Sequence, residues 1–216
     1  MTLNGNPIYN EYLARYKTMN QEQKNIFNQY FKIEEGCLAV LKGRKNKDPN
    51  AYFDLVLKKA EEVCNLNVAL NKLGIDEEQV QEIPPFSFGG FNYSNSLLVG
   101  DYSNLYECTW LMFSDKQVYV YSLEFDMLGD YRNERMAEYF YKDVTNITTT
   151  NLQTELFVHT QNGCGQDKLS KVLKTTNQFK IVVPGEQYVC QVATADDQFK
   201  NNVSAAKAKL REKKEQ

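Results

Sequence analysis

A single histidine limits the acid–base chemistry open to this chain of 216 residues. A Ser-His-Asp or Cys-His unit would have to use His159, and a zinc site would find only one imidazole. His159 stands in Glu155-Leu156-Phe157-Val158-His159 and shares a strand face with Glu155 and Phe157. It reads as an ordinary strand histidine, because a site needs several groups in mutual geometry. The nucleophile candidate is Cys164, between two glycines in Gln161-Asn162-Gly163-Cys164-Gly165-Gln166. A thiol in such a loop attacks only when a base lowers its pKa, and no neighbouring motif supplies a base or an oxyanion site.

Other groupings are weaker. Asp126, Asp130 and Glu134 crowd one segment with Arg132 and Arg135. Their spacing lacks the alternating ligands and terminal Glu of a calcium loop, so they read as a solvated, self-neutralising loop. Phe88-Gly89-Gly90-Phe91 lacks the Lys-Ser/Thr and the preceding strand of a phosphate loop. Lys168, Lys171 and Lys174, spaced by three around Leu169, Val172 and Leu173, read as a short amphipathic turn. Its cations are the candidate contact to anionic lipid. No catalytic residue, cofactor site or metal ligand set is assigned.

Composition sets the wider bounds. Hydrophobic residues make up 42% and charged residues 25%, ordinary for a globular chain. The net charge of −3 argues against a nucleic-acid binder, and residues 86–204 hold 9 Lys/Arg against 14 Asp/Glu, a local −5. No basic region followed by an apolar run opens the sequence, and no segment is apolar for long enough to cross a bilayer. Cys37, Cys64, Cys108, Cys164 and Cys190 are odd in number and lack a C-x-x-C pair, which reads as free thiols in a cytoplasmic setting.

The elements follow from periodicity. The first third is helical: Ile8, Tyr12, Tyr16 and Met19 fall near helical spacing, Ile26, Phe27, Tyr30 and Phe31 continue it, and Asn20 with Gln23 forms a cap pair. Asp48 before Pro49 starts a longer helix and Gly74 ends it, with Phe53, Val56, Leu57, Ala60, Val63, Cys64, Leu70 and Leu73 as its apolar stripe. A short helix begins at Asp76. The run Ile83-Pro84-Pro85-Phe86-Ser87-Phe88-Gly89-Gly90-Phe91 breaks all regularity and places a boundary between a helical region, residues 1–85, and a strand-rich region, residues 86–216. Period-two alternation then gives seven strands: 105–113, 117–125, 136–141, 144–150, 154–160, 178–183 and 187–193. A final helix starts at Thr194 with Asp197 three residues on, and carries Phe199, Val203, Ala206 and Leu210 on one face.

Seven strands and a closing helix are the layout of the pleckstrin-homology-like (PH-like) barrel. Leu111-Met112-Phe113-Ser114-Asp115-Lys116-Gln117-Val118-Tyr119-Val120-Tyr121 resembles the hairpin of bacterial PH-like and GRAM-type domains, and Tyr139-Phe140-Tyr141-Lys142-Asp143-Val144-Thr145-Asn146-Ile147 resembles a later segment of the same domains. The resemblance covers residues 97–214. It implies a seven-stranded β-barrel plugged by the last helix, and a binding or scaffolding module in place of an enzyme; it leaves the helical region unexplained, and with that region the chain is expected to be α+β, an unrelated seven-stranded sandwich being the other fold. The basic loop that some PH domains use for phosphoinositides is here Phe113-Ser114-Asp115-Lys116. The expected partner is a protein; a membrane surface reached through Lys168, Lys171 and Lys174, or thiol chemistry at Cys164, are the alternatives.

Overall fold

The computed structural model describes residues 7–32, 48–161, 167–193 and 197–214. Cys37, Cys164 with its flanking glycines, and the expected cap Thr194 lie outside the described residues, as do the side chains of His159 and Lys168.

The chain is α+β. Helix α1 (Pro7–Arg15) leads to α2 (Gln21–Ile26), which Asn20 and Gln23 start with a reciprocal capping box. A π-helical turn, Phe27–Phe31, extends α2 and buries Phe27, Tyr30 and Phe31 together. Asp48 caps α3 (Pro49–Val63) by accepting from the Asn50 N–H. The helix expected to run on to Leu73 is broken at Cys64, and Asn65 caps a second helix, α4 (Leu66–Leu73). Gly74 ends α4 in the left-handed conformation, φ 68°, where glycine carries no Cβ penalty. The Asp76 signal yields one 3-10 turn, Glu77–Gln79.

Nine strands follow among the described residues: β1 (Ile83–Asn92), β2 (Leu98–Val99), β3 (Tyr102–Ser103), β4 (Leu105–Phe113), β5 (Gln117–Asp126), β6 (Arg132–Phe140), β7 (Asn146–Gln161), β8 (Asp167–Val183) and β9 (Glu186–Val192). The first sheet is antiparallel in the order β1-β4-β5-β6. The second runs β3-β2-β7-β8-β9, with β2 parallel to β7 and Val99 opposite His159. These are two sheets that do not close into a barrel; β9 and β1 meet through the Ala193 N–H and the Gly89 carbonyl, 2.6 Å apart.

Three expectations change. The stretch read as an irregular connector is strand β1, so the boundary drawn at 85–86 falls inside it. Its prolines sit at an irregularity in register between Ile83 and Phe86, on a sheet-edge strand where a missing N–H is tolerated. Its glycines answer close approach: a Cβ on Gly90 would lie 2.9 Å from the Val192 and Ala193 backbone, and one on Gly89 2.5 Å from the Glu107 carbonyl. The strands expected at 144–150 and 154–160 are one strand, β7, paired with β8 from Asn146 opposite Val182 to Gln161 opposite Asp167. The lysine turn is therefore part of β8.

The β7–β8 ribbon explains its own weak signal. At its base Ile147, Phe179 and Ile181 face the core. Further out, Phe157 and Leu173, on the same face by register, are exposed, while Val158 on the other face is buried. The strong twist of a two-stranded ribbon exchanges which face turns inward.

Both faces of β4 and β5 are covered, while β6 is largely exposed. Tyr106, Cys108, Met112, Tyr121, Leu123 and Phe125 join one core with α1–α4. On the opposite face Leu111, Phe113, Val118 and Val120 join a second core with β8, β9 and the last helix, α5 (Asp197–Lys214). Phe199, Val203, Ala206 and Leu210 are the buried stripe of α5, as the sequence indicates. No helix among the described residues is long and apolar enough to cross a membrane.

Candidate functional site

The residues singled out by the sequence are not assembled into one site. His159 lies in the β7 ladder opposite Leu169. Lys168 is in the β8 ladder opposite Thr160, and Lys171 and Lys174, three apart on a strand of period two, stand on opposite ribbon faces. Lys171 pairs with Glu155, while Lys174 pairs with Asp101 and lies over the Tyr93 ring. Among the described residues, no group of three or more His, Cys, Asp or Glu is placed to hold a metal ion.

The acidic cluster is also taken apart. Asp126 is buried at the end of β5, contrary to a solvated loop. It anchors the helical layer to the sheet: the Tyr12 hydroxyl donates to Oδ2 at 2.8 Å, and Asn104 Nδ2 and the Leu128 N–H donate to Oδ1 at 2.6 and 2.8 Å. Asn104 Nδ2 also donates to the Tyr12 hydroxyl at 2.6 Å, and Lys59 Nζ donates to the Asp126 carbonyl at 2.8 Å. Burial and the neighbouring Asp126 push the Tyr12 phenol well above its ordinary range. This network satisfies the polar groups of a seam between two layers, the condition under which such groups are tolerated in a core.

A second internal pair joins Arg135 of β6 to Glu107 of β4. The Glu107 carboxylate also accepts the Gln191 N–H at 3.1 Å, and Arg135 donates to the Val189 carbonyl at 3.0 Å beneath the Tyr188 ring. Thus β6, β4 and β9 are tied together. Burial raises the Glu107 pKa despite the opposing pull of Arg135. Arg135 keeps 41% of its side chain exposed against 5% for Glu107, so the desolvation cost falls on the carboxyl.

The candidate site is a groove of about 440 Å³ across β1, where α3, the first sheet and α5 meet. Phe53 of α3, Phe86 and Phe88 of β1, Tyr106 and Trp110 of β4 and Phe199 of α5 supply its aromatic walls. Ser87, Gln198 and Asn202 add neutral polar groups, and no charged side chain lines it. The walls support one another: Phe88 packs edge-on against Phe199 at 5.2 Å between centroids, and Phe53 against Tyr106 at 6.4 Å. Trp110 is oriented by its Nε1–H, which donates to the Cys64 carbonyl at 2.7 Å.

The groove adjoins a strand edge. The Gly89 carbonyl points away from β4 to meet Ala193, and the period of two directs the Ser87 N–H and C=O to the same side. Backbone polarity beside an aromatic trough accommodates an extended chain with an apolar side chain. Sequence reading missed this site because its walls come from residues 53, 86–88, 106–110 and 198–202; the aromatic pattern of 86–91 was its one local signal.

No protein-family model matches the chain, and comparisons with characterised proteins and with solved structures also give no match.

Proposed function

We propose that the chain is a non-catalytic binding and scaffolding protein that takes an extended, uncharged segment of a protein partner along the outer edge of β1, with an aromatic or aliphatic side chain in the groove. The observation that carries this reading is the uncharged aromatic trough beside the edge of β1 at Ser87, next to the point where Ala193 takes the Gly89 carbonyl. A strand-adding peptide gains main-chain hydrogen bonds from such an edge and selectivity from the adjoining pocket. The acidic balance of residues 86–204 and the ion pairing of Lys171 and Lys174 favour this partner over anionic lipid.

The reading extends to fold and setting. Two sheets followed by α5, with α5 seated between β1 and β8, support an open relative of the PH-like or GRAM-type barrel in residues 86–216, preceded by the helical region 1–85. The free thiols of Cys64, Cys108 and Cys190 support a reducing, cytoplasmic setting.

Trp110 is the only tryptophan, so groove occupancy has its own optical reporter. Titration with acetyl-Thr-Val-Phe-Val-Thr-amide should change Trp110 emission saturably, and the Phe-to-Ala peptide should bind at least ~10-fold more weakly, as expected for loss of a buried anchor. No saturable change up to ~1 mM, or equal binding of both peptides, would refute the proposal, since ~1 mM marks only about 4 kcal/mol of affinity.

A further inference from the structure

Next to the groove wall at Trp110, whose Nε1–H reaches the Cys64 carbonyl, lies a pair of cysteines that peptide binding does not use. Cys64 stands at the break between α3 and α4, and Cys108 lies in the middle of β4. Each sulfur approaches the other residue's backbone: Cys64 Sγ is 3.7 Å from the Cys108 carbonyl, and Cys108 Sγ is 3.9 Å from the Cys64 carbonyl. Reciprocal approach sets the two side chains next to each other across the seam between helical layer and sheet. Both are free thiols and both are buried. Cys190 is different, because it lies in the second core with the Ser122 hydroxyl at 3.9 Å.

We propose that Cys64 and Cys108 are a redox-modification site, a dithiol that a peroxide converts into a cross-link fastening the α3–α4 junction to β4. One thiolate attacks a peroxide oxygen; an S–O bond forms, the O–O bond breaks, and the departing hydroxide takes up a proton as water. The second sulfur gives up its proton and attacks the first, forming S–S and breaking S–O, and a second water leaves. Two thiols lose two electrons in total and one peroxide gains them.

The seam governs the rate. Contact with Cys108 and burial hold the Cys64 thiol far above its ordinary pKa, so the closed seam resists attack. Oxidation therefore proceeds through brief lifting of the α3–α4 junction and quickens in sub-denaturing urea. The residues are 44 apart in sequence, so the cross-link closes a long loop in the unfolded chain and raises stability. Trp110 senses the change directly, since its Nε1–H ends on the Cys64 carbonyl.

The test is hydrogen peroxide treatment of the full chain carrying Cys37→Ser and Cys164→Ser, followed by alkylation and peptide mapping. The expected product is ~2 Da lighter, carries a Cys64–Cys108 linked peptide, and returns to the starting mass with dithiothreitol. Its Tm should rise by roughly 10 °C, from the loop-closure entropy of a segment this long. The protein with all five cysteines, treated with peroxide in the same way, should give the same linked peptide, and the untreated protein should not. Oxygen adducts without the linkage, pairing of either residue with Cys190, or a linked product with an unchanged or lower Tm would each overturn the proposal.

Discussion

Phe199→Ala tests how α5 is seated. Phe199 retains 7% exposure, packs edge-on against Phe88 at 5.2 Å and against Phe179 at 6.3 Å, and so touches both sheets. Burial of a phenyl ring is worth about 1.5–3 kcal/mol, and favourable aromatic geometry adds about 0.5–1.5 kcal/mol. Truncation of a buried Phe costs about 3–5 kcal/mol when the cavity stays empty. Here one side of the ring borders the groove, so water can enter the space and the lower part of that range applies, about 3 kcal/mol. For a chain of this length the corresponding fall in Tm is roughly 6–12 °C. Urea unfolding followed by Trp110 emission and by far-ultraviolet circular dichroism should give the same loss, with the urea dependence unchanged. Phe199→Leu should recover more than half of it. A loss under about 1 kcal/mol would refute the seating of α5 on β1 and β8, because a ring buried between two sheets cannot be removed so cheaply.

Three further outcomes follow from other parts of the molecule. Tyr12→Phe removes the donor to Asp126 Oδ2 and one acceptor of Asn104, and should cost about 1–3 kcal/mol in urea unfolding; a neutral result would mean that the seam is not closed by this network. Glu107 has a folded-state pKa above its unfolded one, so its contribution to stability is complete below the ordinary carboxylate range and is lost as pH rises through the raised folded value. Melting curves taken from pH 4 upward should show that decline in the wild type and a flatter profile in Glu107→Gln, and parallel profiles would contradict it. Co-sedimentation with phosphatidylserine vesicles at low salt should retain little protein, and changing Lys168, Lys171 and Lys174 to Glu should alter this little; robust binding lost in that variant would restore the lipid reading.

Legibility in the sequence tracked the number of faces each element buries. Strands β4 and β5 divide two cores, so Tyr106, Cys108 and Met112 alternate with Glu107, Thr109 and Leu111 without a gap. Helix α5 buries one stripe, and Phe199, Val203, Ala206 and Leu210 display it. Caps at Asn20, Asp48 and Gly74 are local chemistry and could be read as such. The ribbon failed the same test: its middle is exposed on one face and mostly only partly buried on the other, which weakens the apolar period, and lysines spaced by three then imitate a helix. β1 failed for another reason. Pro84-Pro85 and Gly89-Gly90 are punctuation in most sequences, but here the prolines take an irregular edge and the glycines admit neighbouring backbone at 2.5 and 2.9 Å.

The same contrast accounts for the groove. A catalytic centre needs few residues with distinctive chemistry, and a chain with one histidine offers little to find. A trough for an apolar segment needs aromatic area, and aromatic residues are also what fills an interior, so the two uses share one composition. What separates them is position. Phe86 and Phe88 line a cavity because β1 is an edge strand whose outer side meets the residue after β9 through the backbone hydrogen bond from Ala193 to Gly89, whereas Phe113, on the same sheet, is wholly enclosed. Strand order is set by contacts between segments far apart in the chain, such as Val192 against Gly90, and no window of sequence contains them. The groove is therefore a property of the topology, and substitutions that weaken the β1–β9 junction should disturb it without touching any of its aromatic walls.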